Sequence, residues 1–243
     1  MKEVKHKGHT LVMYDSIDDL PIRRFQALNL NLALDAGIGS DQEAVTRHSA
    51  MIRKFIQAGQ TEEALVQLNN YEQCLTFIVQ GINPKLFSFV CLLHKLDGKL
   101  ITDLTEEGIK QTLDKMDIAN HSFITNLMLE AKKKLYQELE ICFPKLSKGT
   151  NETRYWNALK NNVIYRLKKV AGQEVDDMLE KIELGLLNIV KPKIYAGTTG
   201  IEVKNKKSFE NLSTKVDKEF NVNTNDLNVF QFYSRVEQLM NKK

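Results

Sequence analysis

Residues 83–96 read Asn83-Pro84-Lys85-Leu86-Phe87-Ser88-Phe89-Val90-Cys91-Leu92-Leu93-His94-Lys95-Leu96. Asparagine followed by proline is a helix start. The amide oxygen accepts from a free N–H of the first turn, and the fixed φ of proline suits the first helical position. The residues after Lys85 are apolar nearly all round, and such a helix is stable only at the centre of a bundle. The stretch predicts a central helix over 85–96, turned at its end by Asp97-Gly98.

Amphipathic helices flank it on both sides. Pro21 and the acids Asp18 and Asp19 mark a start, and Phe25, Leu28, Leu32 and Ala36 recur every three or four residues, predicting a helix over 20–36. Leu30 and Leu34 widen its stripe, and Gly37 stops it. Ser40 or Asp41 caps a second helix to residue 58, with Val45, Met51, Ile52, Phe55 and Ile56 inside. Thr61 opens a third, carrying Ala64, Leu65, Leu68, Leu75, Ile78 and Val79, which stops at Gly81. Beyond the centre, helices are expected over 106–116 and from Asn120 or Ser122 to 142, ended by Pro144. Residues 145–151 read as a loop and boundary. Helices resume over 152–170 and 175–190.

Residues 191–207 break the periodicity. Ile194-Tyr195 and Ile201-Glu202-Val203 flank Gly197-Thr198-Thr199-Gly200, which reads as a short β-hairpin or extended arm. A lone hairpin is marginal in water and needs packing or a neighbouring chain. Two helices, over 209–220 and 228–241, close the chain. The expectation is a mainly α, multi-helix bundle with a short hairpin or arm near 191–207. It divides into a helical domain (1–144), a helical hairpin (145–190), the arm (191–207) and a C-terminal helical pair (208–243).

Of 243 residues, 42% are hydrophobic, enough for a core and too many for global disorder. Cys74, Cys91 and Cys142 are odd in number and widely spaced, so all three are expected as buried, reduced thiols rather than a disulfide framework or zinc site. The charged N-terminus lacks the apolar core of a signal peptide, and no window approaches a membrane span, so no membrane partner is expected. Charge is uneven. Residues 1–130 carry 13 Lys+Arg against 17 Asp+Glu, a net of −4, and residues 131–243 carry 21 against 14, a net of +7. The basic half could face an anionic surface, or the acidic half of one copy could meet the basic half of the next. A solvated surface without a partner is the plain alternative.

No pattern specifies catalysis, a cofactor or a metal. Gly37-Ile38-Gly39-Ser40-Asp41 precedes a helix but lacks a phosphate loop's spacing and lysine, and Asp41 would repel a phosphate; it reads as a tight turn with a capping serine. His6, His9, His48, His94 and His121 form no HExxH pair. His6 and His9 are expected in a mobile terminus, His48 on a solvated face, and His94 hydrogen-bonded in the core. The paired acids Asp18/Asp19, Glu62/Glu63, Glu106/Glu107 and Asp176/Asp177 sit near helix starts, where the dipole accounts for them. Residues 105–134 could form a helix-turn-helix, but the lysines Lys132-Lys133-Lys134 lie far from the end that reads bases. Phe230, Phe232 and Tyr233 are candidate interface anchors, or pack the last helix on its own body.

Tyr14-Asp15-Ser16, Leu20-Pro21-Ile22-Arg23-Arg24-Phe25 and Asp35-Ala36-Gly37-Ile38-Gly39-Ser40-Asp41 together resemble the opening of a virion-associated protein family of crAss-like and related gut Bacteroidetes tailed phages. Asp226-Leu227-Asn228-Val229-Phe230-Gln231-Phe232-Tyr233 is similar to the C-terminal helix of such proteins. The resemblance covers residues 12–130 and, more weakly, the tail; residues 145–207 carry none of it. It implies a non-enzymatic virion component made in the host bacterial cytoplasm. Such a component is a homo-oligomeric ring in the portal–tail region, contacting portal or other neck and tail proteins, with DNA a candidate in the lumen. The residues expected to reach a neighbouring subunit are Ile194, Tyr195, Ile201, Val203, Phe230, Phe232 and Tyr233. The competing readings are an assembly chaperone that leaves before maturation and a basic nucleic-acid-binding regulator.

Overall fold

The computed structural model describes residues 1–116, 121–147, 150–189, 192–195 and 200–242. In chain order these form β1 (Lys2–His6), β2 (His9–Met13), α1 (Ile22–Gly37), α2 (Gln42–Gln57), α3 (Thr61–Gln80) and α4 (Pro84–Leu92). Then come β3 (Leu93–Leu96), β4 (Lys99–Leu100), α5 (Glu106–Lys115), α6 (His121–Cys142), α7 (Pro144–Ser147), α8 (Thr150–Val170), α9 (Asp176–Ile189), α10 (Ile201–Phe220) and α11 (Val229–Asn241). The protein is mainly α, with a small antiparallel sheet in the order β1-β2-β3-β4.

Helix starts obey local chemistry. The Asn83 side chain accepts from Leu86 N at 3.1 Å, Asp41 from Ala44 N at 2.8 Å and Thr105 from Gly108 N at 3.2 Å, each satisfying an orphan donor. The cap of α2 is thus Asp41 rather than Ser40. Asn228 and Gln231 form a reciprocal capping box at α11. Gly81, at φ +66, ends α3 in the left-handed region.

The strands depart from the sequence reading. Residues 93–96 leave the predicted central helix and become β3. The N-terminus, expected as a mobile segment around His6 and His9, is the β1–β2 hairpin. Both hairpins turn in two residues with positive φ, Lys7-Gly8 (47° and 86°) and Asp97-Gly98 (50° and 78°), the combination that matches strand twist. Asp97 also joins the hairpins: its carboxylate accepts from Thr10 N at 2.8 Å and lies 2.7 Å from His9 Nδ1. Leu11 and Met13 face inward, where the sheet meets α6; the His6 ring stacks on Phe123 at 4.2 Å.

Short hairpins are present at both sheet edges, while in the described part of 191–207 residues 192–195 form an irregular strap whose Ile194 O accepts from Ile201 N at 2.9 Å. Ile201 and Val203 lie in α10. Their β-branched preference is a weak term, outweighed by the apolar stripe Phe209, Leu212, Val216 and Phe220 that draws the whole segment into one amphipathic helix. Residues 196–199 of the expected turn lie outside the described residues. Likewise Pro144–Ser147 is a helical turn within the expected loop 145–151, whose residues 148 and 149 are outside the described set.

Arg24 fastens the centre. It is 8% exposed, and its guanidinium donates to the carbonyls of Cys91 (3.3 Å), Leu93 (2.8 Å) and Ile101. Its charge also lies 5.5 Å from the Tyr14 ring centroid. Tyr14 N donates to Leu92 O at 2.8 Å. Between them Tyr14 and Arg24 take up the last carbonyls of α4, so the chain can leave the helix and pair with β2.

The chain ends close on one another. Ile22 N donates to Leu227 O, Val229 N to Leu20 O and Phe230 N to Ile17 O, at 2.9 to 3.1 Å. Val216, Val229, Phe232 and Val236 join the same core as Leu28, Phe89 and Leu135. A second, smaller cluster of Ile38, Ala44, Cys74 and Phe77 sits where the end of α1 meets the α2–α3 pair. Helices α8 and α9 form a hairpin held by Arg166–Glu183 (2.8 Å) and Lys169–Asp176 (2.6 Å).

Replacing Arg24 by leucine strands three carbonyls in apolar surroundings, at roughly 1–3 kcal/mol for each group left unsatisfied. Arg24→Leu is expected to lower unfolding stability in urea by about 3 kcal/mol or more. Arg24→Lys should recover only part, because a single ammonium cannot fork across three acceptors. A leucine variant as stable as the parent would remove Arg24 from this role.

Candidate interaction surfaces

The reactive side chains are mostly buried in structural roles. Burial raises the Cys91 thiol to about 11 and pushes Cys74 up as well, which keeps both protonated and unreactive. Cys142, expected buried, is exposed on the last turn of α6, because it falls on the outward side of that helix. Among the described residues no group of three or more His, Cys, Asp or Glu could hold a metal ion.

His94 leaves the expected central helix for β3, where it is half-buried and its Nδ1 lies 2.8 Å from the Tyr14 hydroxyl. His48, expected on a solvated face, is 1% exposed. It shares the inner face of α2 with Ala44 and Phe55. Its Nε2 donates to Ile38 O at 2.6 Å, and its Nδ1 accepts from Gln67 Nε2 at 2.6 Å. These partners fix a neutral tautomer that clamps the 37–41 turn to α2 and α3. Gly39, at φ +72, makes that turn; a side chain there would collide with Ala44.

The candidate interface residues separate. Tyr195 is half-buried in its own chain. Its ring lies against Gly37, where an added Cβ would fall 1.9 Å from the ring. Lys193 O accepts from Asn70 Nδ2 at 3.0 Å, so residues 192–195 strap across α1 and α3. Ile194 is exposed, and Ile201 and Val203 are half-buried on α10. Phe232 is in the core, packed on Phe209 with centroids 5.6 Å apart. Tyr233 is half-buried between Phe25 and Phe143. Phe230 stays 39% exposed beside Phe143. Of these seven, Ile194 and Phe230 present the most open surface.

The start of α6, read in sequence as the second helix of a helix-turn-helix, packs inward. Ile124 is in the core and Phe123 is under His6, so this face is occupied by the sheet. Lys134 at its middle pairs with Asp15 at 2.9 Å. Burial would raise the Asp15 pKa, but hydrogen bonds from Lys134 and the terminal ammonium outweigh it and hold the carboxyl below its ordinary value.

The apolar residues that the sequence gives to the third helix do not all turn inward. Leu65, Leu68, Leu75 and Val79 of α3 face outward, as do Val163, Leu167 and Val170 of α8. Clustered apolar exposure of this kind marks contact surfaces. An open groove of about 430 Å3 runs between the end of α2 and the α8–α9 hairpin, lined by Met51, Lys54, Arg166, Glu183 and Leu184. Among the described residues no single helix is long and apolar enough to cross a membrane; the bent pair α3–α4 qualifies only by length and composition, and α4 is buried in the core. No protein-family model, curated protein or solved structure matches the chain.

His48 gives a pH prediction. Burial, helped by the Arg47 charge and opposed by the Ile38 hydrogen bond, lowers its pKa below the ordinary 6.5. A depressed histidine binds its proton more readily in the unfolded chain. Its contribution is therefore complete above the unfolded value and is lost as pH falls through the folded one. The parent should lose more urea stability between about pH 7 and about pH 5 than His48→Gln, which cannot titrate. Equal losses would show that His48 is not held neutral. His94, also lowered by burial, contributes equally to both proteins and cancels.

Proposed function

We propose that this chain is a structural subunit of a tailed-phage particle, assembled as a homo-oligomeric ring in the portal–tail region. The observation that carries the proposal is the meeting of the two stretches that resemble the phage virion family. The segment 17–22 and the segment 227–230 lie at opposite ends of the sequence, yet they are joined backbone to backbone, with Asn228 Nδ2 also donating to Asp18 O at 2.7 Å. The resemblance therefore falls on one structural unit rather than on two unrelated patches. Arg24, within the first stretch, fastens the core of that unit.

The surface supports the same reading. A ring needs two different complementary faces on every copy. The uneven charge, −4 over residues 1–130 and +7 over 131–243, and the separate apolar exposures on α3 and α8 offer such faces. Partners are copies of the chain and the portal or tail proteins stacked on the ring.

The test is quantitative mass spectrometry of purified, DNA-filled particles of the phage that encodes the chain, scored against the major capsid protein. A fixed, low stoichiometry is the expected result. Absence from clean particles, with the protein abundant in infected cells, would overturn the structural role and leave that of an assembly chaperone.

A further inference from the structure

We infer that helix α3 of one copy docks along helix α8 of the next, joining subunits head to tail. The inference deepens the ring assignment and rests on it.

Leu65, Leu68, Glu72, Leu75 and Val79 succeed one another at steps of three, four, three and four residues. This is the spacing of a coiled-coil seam, in which each side chain faces a partner helix. All five are exposed, Leu65 at 62% and Val79 at 86%. The face that α3 turns into its own fold is a different one, built from Ala64, Gln67, Asn70, Cys74 and Phe77. Nothing within the described chain covers the outer seam.

Helix α8 has a matching feature. Lys160, Val163, Leu167 and Val170 are spaced by three, four and three, and all are exposed. The helix meets α9 through another side, where Asn162 is buried and Arg166 and Lys169 form their ion pairs. Among the described residues, each helix thus has one face engaged in the fold and one apolar seam unpartnered.

Charge decides the pairing. Thr61–Gln80 contains Glu62, Glu63 and Glu72 and no Lys or Arg. Residues 158–170 contain no acid, and besides Arg166 and Lys169, which are paired with Glu183 and Asp176 of α9, they carry Lys160 and Lys168. Two α3 seams brought together would crowd glutamates, and two α8 seams would crowd lysines. An α3–α8 contact instead sets the acidic seam on the basic one, so like-with-like association is disfavoured and the mixed contact favoured. Glu72 and Lys160, the charge within each seam, are the natural partners. Because the two faces differ, every copy offers one of each, and the contact continues from copy to copy until it closes.

The test uses the full chain and light scattering after size exclusion. The parent is expected to run as an oligomer of the 27.9 kDa subunit. Glu72→Lys and Lys160→Glu should each weaken association by about tenfold or more, and the double exchange should restore it. Both positions are exposed, so folding is spared, and circular dichroism checks this. Leu75→Asp and Leu167→Asp should each run as monomers, because each lacks one face. Mixed together they should give a one-to-one dimer through the faces left intact. If the parent assembles but none of these variants changes the mass, the contact is wrong while the ring assignment stands. A parent that is monomeric at every concentration also overturns the contact, and the particle stoichiometry then decides the ring separately.

Discussion

The fold depends on one buried cation without a carboxylate. Arg24 is surrounded by the carbonyls of Cys91, Leu93 and Ile101, and its burial pushes its pKa below the ordinary value. A buried charge is tolerable only when hydrogen bonds replace its water. Those bonds exist only if α4 ends where it does, β3 leaves at the right angle and the chain returns past β4. The guanidinium thus couples α1, α4 and the sheet into one arrangement. Remove any of the three and the other two are left with unmet polar groups.

From that joint the rest of the core is built by contact. The sheet that Arg24 makes room for receives the N-terminal hairpin, and the hairpin presents Leu11, Met13 and His6 to α6. Helix α6 in turn holds the turn before α1. Its Glu138 accepts from Ile17 N at 2.9 Å and from Ser16 Oγ at 3.0 Å. That turn is the strip against which residues 227–230 pair, and so the C-terminal helix is positioned by the same chain of contacts. Nearly every link joins residues far apart in sequence, which makes the core a product of topology more than of local preference.

The same dependence on distant residues divides what is legible in the sequence from what is not. Helices with their own caps can be read: Asp41, Asn83-Pro84, Thr105 and Asn228 act through neighbours three residues away. The end of α4 cannot. Leu93 and Leu96 continue the apolar run, and what stops the helix is Arg24, nearly seventy residues earlier. The Lys7-Gly8 turn lacks the Asn or Asp that announces such hairpins. Ile201 and Val203 resemble strand residues only while a short β-branched pair is weighed without the stripe from Phe209 to Phe220. The inner place of His48 is available in its spacing from Ala44 and Phe55, a better guide than its polarity. The aromatic tail divides by face: Val229, Phe232 and Val236 point inward at helical spacing, and Phe230 does not.

Helix α3 carries the argument furthest. It buries Gln67 and Asn70 and exposes Leu65, Leu68, Leu75 and Val79, the reverse of what a solitary domain would gain from. The buried amides are not idle. Gln67 fixes the tautomer of His48, and Asn70 holds the strap that carries Tyr195. The inner face of α3 therefore combines the hydrogen bonds of Gln67 and Asn70 with the apolar contacts of Ala64, Cys74 and Phe77, and its exposed leucines lie outside. Outward leucines at seam spacing cost a lone subunit solubility and return stability only when another helix covers them. A helix that is fixed from within by the bonds of Gln67 and Asn70 can leave leucines on its outer side, and that side is an apolar face open to contact.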